Sequence, residues 1–232
     1  ADPTFRLVFK NTLVFTFACL LIQFTIGFLF AMFFSKKFTL AGPIRGLVLV
    51  GYMMPMSVTA LLGKNLFLLD GGVINDLLMK LHLVSAPVDW LVNGGTALSA
   101  VIAVNCWVGI PFNMLLLTSG LTGISEDVYE SASIDGATSF QRFLYITLPL
   151  MKSAMLSVLM LGFIYTFKAF DLMFIMTAGG PFNSTDVLGT YAYSRAFTQY
   201  EFSQGSTIAM ILFVCLFCVG LFYLKLLGKE DD

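Results

Sequence analysis

Of the chain's 232 residues, 58% are hydrophobic and only 12% charged, and the formal net charge is −1. Soluble domains carry roughly half apolar and about a quarter charged residues, so an ordinary soluble domain is excluded. No basic patch exists to neutralise phosphates, which leaves no electrostatic case for a nucleic-acid partner.

In chain order, residues 1–10 are polar and read as a turn at Ala1-Asp2-Pro3. A first apolar span covers 11–34, interrupted by Asn11, Gln23 and a few threonines. It is close to the ~20 residues that cross ~30 Å of hydrocarbon. Lys36, Lys37 and Arg45 follow, around a Gly42-Pro43 turn, and a second span over 46–66 is broken by Pro55. The mixed stretch to Gly94 reads as an extramembrane loop with a short amphipathic piece at Val73–Leu83 and Trp90 as an interfacial anchor. His82 in that loop has no second ligand at metal spacing. A third span, 96–117, holds Asn105, Trp107 and Pro111, and a polar island occupies 118–152. The fourth span, 153–178, encloses Lys168 and Asp171, a second polar loop covers 179–204, and a fifth span covers 207–227. The fold class is therefore all-α: one polytopic membrane domain, 1–232, with about five transmembrane helices set in lipid.

Odd spans put the two ends of the chain on opposite sides of the bilayer. The cluster Lys36-Lys37-Arg45, with Arg142, Lys152, Lys225 and Lys229, outnumbers Arg6, Lys10, Lys64, Lys80 and Arg195. By the positive-inside rule the island and the C-terminus are then cytoplasmic. All four cysteines fall in apolar runs and read as small hydrophobes. Cys215-x-x-Cys218 has a redox spacing but no polar context to lower a thiol pKa. No G-x-x-x-x-G-K-[ST] occurs, so the chain carries no triphosphate cradle.

Within the island, Ser125 is placed to cap a helix with Glu126 and Asp127 in its first turn, and Gly136 to end it. Ser139 opens a second helical stretch and Leu148-Pro149 turns the chain back into the membrane. Tyr129, Ala132 and Ser133 share a face at helical spacing that lets another protein approach closely; a solvated loop helix explains the same pattern. Glu130-Ser131-Ala132, Asp135-Gly136-Ala137 and Ile146-x-Leu148-Pro149 resemble the EAA signature of permease subunits of bacterial ABC importers, with Ser131 the one departure. The resemblance implies that 121–149 is a cytoplasmic coupling segment that inserts into a cleft of an ATPase, with Glu130 at the contact. Thr177-Ala-Gly-Gly-Pro181, with Thr185 and Ala196-Phe197, resembles carbohydrate permeases of the maltose and glycerol-phosphate type, specifically the larger maltose-permease subunit. The opening Asp2-Pro3 and Asn11-Thr12 resemble that family's external segment after its first helix, which implies that a further transmembrane helix precedes these residues.

Polar groups inside spans are costly and each is a site hypothesis. Asn105-x-Trp107-x-Gly109-x-Pro111 resembles a run in which the positions of Asn105, Val108 and Gly109 contact sugar. Tyr52 matches a sugar-contacting tyrosine, and Met56 stands where the family has a serine. Gly162, Thr166 and Ala169 occupy the corresponding face of the fourth span, with most of the family's polar groups lost. Lys168 and Asp171, three apart, either pair with each other or contact substrate.

The resemblance implies a type I ABC importer fold and a role as half of a sugar path in the bacterial inner membrane, for a di- or oligosaccharide. Its implied partners are a homologous second permease, a cytoplasmic ATPase dimer holding ATP and Mg, and an extracytoplasmic solute-binding protein; the chain itself binds no cofactor and is no enzyme. Glycerol phosphate or a polyol is the nearest alternative solute. An ion-coupled secondary transporter is a further rival, with Lys168 and Asp171 its only intramembrane titratable candidates.

Overall fold

A computed structural model describes residues 2–36 and 39–227; Lys37 and Lys229, used above for orientation, lie outside them. All regular structure among the described residues is helical: α1 (Pro3–Phe34), α2 (Ala41–Met53), α3 (Met56–Leu66), α4 (Val73–Lys80), α5 (Ala97–Thr122), α6 (Glu126–Ile134), α7 (Ser139–Arg142), a π turn (Phe143–Thr147), α8 (Leu148–Leu150), α9 (Lys152–Phe167), α10 (Asp171–Met176), α11 (Leu188–Tyr193), a second π turn (Ser194–Thr198) and α12 (Phe202–Leu227).

Three of these helices, α1, α5 and α12, are long and apolar enough to cross a membrane alone. The second expected span is instead two helices, α2 and α3, meeting at 95°, because Pro55 cannot continue the α2 ladder. The fourth begins as expected at α9, but the helix ends at Phe167 and resumes only at Asp171, so 153–178 is not one rod. With α2 and α3 taken as one span, and the helical arm Ser139–Leu150 with α9, which it meets at 64°, as another, up to five spans result among the described residues. Where a turn was expected, the described chain is helical from Pro3 onward. Asp2 accepts the Thr4 N–H at 2.9 Å and Pro3 occupies the first helical position, the pair of signals that starts a helix.

α1 and α5 form the spine. Their close approach depends on Gly27, where a Cβ would stand 2.6 Å from the Asn113 Cβ and 3.1 Å from the Met114 nitrogen. Between membrane helices, small residues replace the missing hydrophobic drive with van der Waals contact. One end of this spine is a core of Phe28, Ala31, Leu117, Met151 and Val158, with Phe143 and Leu148 packed on it. The opposite end is pinned by polar bonds: Asn11 Nδ2 donates to the carbonyls of Asn183 (2.9 Å) and Asp186 (3.2 Å), and Leu188 N donates to Thr12 Oγ1 (2.9 Å). The polar island thus sits at one end and the 177–202 loop at the other. α12 returns to the island's end, where Tyr223 OH and Ser157 Oγ lie 2.8 Å apart.

The 67–96 loop is ordered by one side chain. Buried Asn75 donates to the carbonyls of Leu68 and Val88 (both 3.0 Å) and accepts from Val88 N (3.1 Å) and Trp90 Nε1 (3.0 Å). Trp90, expected as a membrane anchor, spends its N–H on this bond and its ring against Phe67, 5.6 Å centroid to centroid.

Candidate functional site

Two interior amides, Gln23 and Asn105, converge on one cavity. It has a volume of about 280 Å³ and is lined from α1 by Gln23, from α2–α3 by Tyr52 and Met56, from α5 by Asn105, Val108, Gly109 and Phe112, and from α9 by Gly162, Tyr165 and Thr166. Seven of the eight residues singled out from sequence therefore meet in one place. Ala169 does not. Its face, Gly162–Thr166–Ala169, requires a continuous helix, and the helix ends at Phe167. Ala169 packs into the neighbouring core instead.

Three lining residues were not singled out. Gln23 is 3% exposed, and its Nε2 donates to the Asn105 carbonyl at 3.2 Å. Its carboxamide lies over Gly109, where any Cβ would meet Gln23 atoms. An interior amide inside the first span was the signal that pointed to it. Phe112 and Tyr165 had none, being aromatics among 24 Phe and 8 Tyr. Phe112 stacks on Tyr52 (5.5 Å, 30°) and stands edge-on to Tyr165 (5.8 Å, 88°), so one wall is a continuous aromatic surface. Tyr52 and Tyr165 are both exposed, so this wall is open on one side.

The cavity lining holds amides, a threonine, phenols and rings, and no charged side chain. That set suits a neutral, hydroxyl-rich solute: amides donate and accept, and ring faces receive C–H groups. Lys168 and Asp171 do not form the expected pair; no ion pair joins them among the described residues. Because α9 stops at Phe167, just before Lys168, and α10 starts at Asp171, the three-residue helical spacing is lost. Lys168 Nζ lies 5.3 Å from the Tyr165 ring centroid, a cation–π contact at the rim.

The second site is the polar island. Ser125 Oγ accepts from Asp127 N at 3.3 Å and caps α6, with Glu126 and Asp127 in its first turn. Gly136 at φ +79° ends it, its N–H reaching Ser133 O (3.1 Å) while Ala137 N reaches Ala132 O (2.9 Å). Those two bonds form a Schellman motif. Glu130, Ser131, Asp135 and Gly136 are exposed, and Ala132 and Ala137 are half-buried. Ile134 is 86% exposed, Phe140 68% and Tyr145 76%, a large apolar surface on an otherwise polar segment. Exposed apolar surface of this kind is characteristic of protein–protein or membrane contact. Of the face expected to meet another protein, Tyr129 and Ala132 are half-buried and Ser133 is exposed, and Tyr129 OH lies 3.0 Å from Thr147 Oγ1. Among the I-x-L-P residues, Ile146 is half-buried, Leu148 packs on the core and exposed Pro149 lies one turn ahead of α9.

An all-helical polytopic chain with a polar cavity among its spans and an exposed apolar-tipped segment at one end defines a membrane transport component. Residues 5–227 match the family described as "Binding-protein-dependent transport system inner membrane component", and the chain belongs to it as an integral, multi-pass inner-membrane permease. It is 30% identical over 188 residues to a probable ABC transporter permease of Brucella suis, covering 81% of this chain and 65% of that protein. It is 31% identical over 214 residues to the trehalose/maltose transport system permease MalF of Thermococcus litoralis, covering 92% of this chain and 72% of that one. The fold matches a crystal structure of a bacterial ABC transporter involved in import of the acidic polysaccharide alginate with TM-score 0.89, at 21% identity, covering 100% of this chain and 82% of that one.

Proposed function

We propose that this chain forms half of the path by which a neutral di- or oligosaccharide crosses the inner membrane in an ATP-driven, binding-protein-dependent importer. The observation that carries this reading is the uncharged cavity of amides beside a row of three aromatic rings. The trehalose and maltose of the Thermococcus relative's transport system support it. Phosphorylated solutes fit less well, because no lining residue supplies a cation.

A homologous second permease would complete the path against the open wall at Tyr52 and Tyr165. A cytoplasmic ATPase dimer would hold ATP and Mg and receive 121–149, with Glu130 and Ser131 at the contact and Asp135, Gly136 and Ala137 shaping the turn. The island, and with it the C-terminal end of α12, is then cytoplasmic. A solute-binding protein would deliver sugar to the 66–94 and 179–204 loops. Alternating access follows: closure of the nucleotide dimer draws the coupling segments together and opens the cavity outward.

The test is uptake of labelled maltose and trehalose by proteoliposomes holding the complete importer. Tyr52→Ala and Asn105→Ala each weaken uptake while basal ATP hydrolysis persists; unchanged uptake kinetics in both remove the cavity from the path.

A further inference from the structure

α6 is joined to the returning arm, α7 through α8, by a closed ring of hydrogen bonds. Thr147 Oγ1 donates to the Arg142 carbonyl at 3.4 Å. With its one hydrogen so used, Thr147 accepts from Tyr129 OH at 3.0 Å. Arg142 Nη1 donates to Ser133 Oγ at 2.7 Å, and Ser133 Oγ donates to the Tyr129 carbonyl at 2.7 Å. Four residues thus tie two segments together, with the Thr147 and Ser133 hydroxyls each both giving and receiving.

The arm side of this ring is anchored. Thr147 is 7% exposed in a segment that is otherwise largely open. It closes the Phe143–Thr147 π turn, an irregularity that occurs often at functional positions. One turn further on, Met151 is fully buried in the core shared with α1 and α5, and its carbonyl accepts from Met155 N at 2.8 Å as α9 begins. Phe143 packs 6.1 Å from Phe28 on α1. α9 then carries Gly162, Tyr165 and Thr166 to the cavity, about 20 Å away at 1.5 Å per residue.

We propose that the Tyr129–Thr147–Arg142–Ser133 ring makes α6 and its return arm one rigid lever, with Tyr129 and Thr147 as positioning residues that pass displacement of α6 to α9 and the cavity wall. This rests on the proposed docking of an ATPase against α6. With the ring lost, α6 is still joined to the arm through the 135–138 turn, around Gly136, where a side chain would find nothing within 4 Å. A push on α6 then bends that turn and does not reach Met151.

The experiment uses the complete importer in nanodiscs and measures ATP hydrolysis with and without its solute-binding protein, purified with its bound solute. Tyr129→Phe, Thr147→Val, the double variant and Thr147→Ser are compared. Assembly and basal hydrolysis stay at the wild-type level. Stimulation by the binding protein falls about five-fold in each single variant, the factor a single hydrogen bond commonly sets. It falls no further in the double variant, because the Tyr129–Thr147 bond is lost in all three, and Thr147→Ser restores it. Should Thr147→Val fail to assemble, Tyr129→Phe decides. Full stimulation in the single variants, or additive losses in the double, overturns the lever. Glu130→Arg separates the two claims: its full stimulation overturns the docking reading, while its loss beside full stimulation in Thr147→Val and Tyr129→Phe overturns the lever alone.

Discussion

Gln23 and Asn105 meet across the α1–α5 interface, the Gln23 Nε2 donating to the Asn105 carbonyl at 3.2 Å. That bond holds the carboxamide over Gly109, so Gln23 and two residues of α5 far from it in sequence depend on one another. Gly109→Ala pushes a methyl group into Gln23. Overpacking of this kind costs about 1–3 kcal/mol. The thermal midpoint of the purified protein should fall and sugar uptake should drop with it. Gly46→Ala, with open space around it, serves as the control and leaves both unchanged.

Gln23→Leu separates packing from recognition. Interior hydrogen bonds between membrane helices average about 0.6 kcal/mol, so stability moves by less than about 1 kcal/mol. The cavity loses a fixed amide, and the sugar concentration for half-maximal uptake should rise several-fold. A variant with unaltered uptake shows Gln23 to be a packing residue only.

These two predictions mark where sequence reading stopped. Tyr52, Asn105, Gly109 and Thr166 were legible because they fall in motifs or are polar inside apolar runs. Gln23 was visible as an interruption, but its partner lies 82 residues away and no local spacing encodes that contact. The five apolar runs were legible from hydropathy. The 95° break at Pro55 and the end of α9 at Phe167 were not, because hydropathy counts apolar length and is blind to direction. That same blindness kept Ala169 on a helical face that does not exist and gave Lys168 and Asp171 a helical spacing that the break removes.

At Gly136 the constraint is backbone alone: φ is +79° and nothing lies within 4 Å of an added Cβ. Gly136→Ala should cost about 1 kcal/mol through the left-handed conformation. Amide exchange across 126–137 should quicken in that variant. Gly136→Asn should stay nearer the wild type, since Asn tolerates this region.

Asp186 lies in the loop between α10 and α11. Burial pushes its carboxyl above the ordinary 3.8, and a hydrogen bond from Thr190 opposes the shift. The folded protein therefore holds this proton more tightly than the unfolded chain. Its contribution to stability is present below the unfolded value and is lost as pH rises through the raised folded value. Asp186→Asn, which keeps an acceptor for Thr190, should gain stability relative to the wild type as pH rises across that window and level off above it. A difference in thermal midpoint that stays flat with pH contradicts the buried-carboxylate account.

The most direct measurement of the central claim is uptake of labelled maltose and trehalose by proteoliposomes holding the complete importer, with ATP and the proton gradient varied separately. Uptake should require ATP inside the cytoplasmic-face compartment and survive a proton ionophore. Uptake that persists without ATP while a proton gradient is intact would contradict the account and make this chain an ion-coupled transporter.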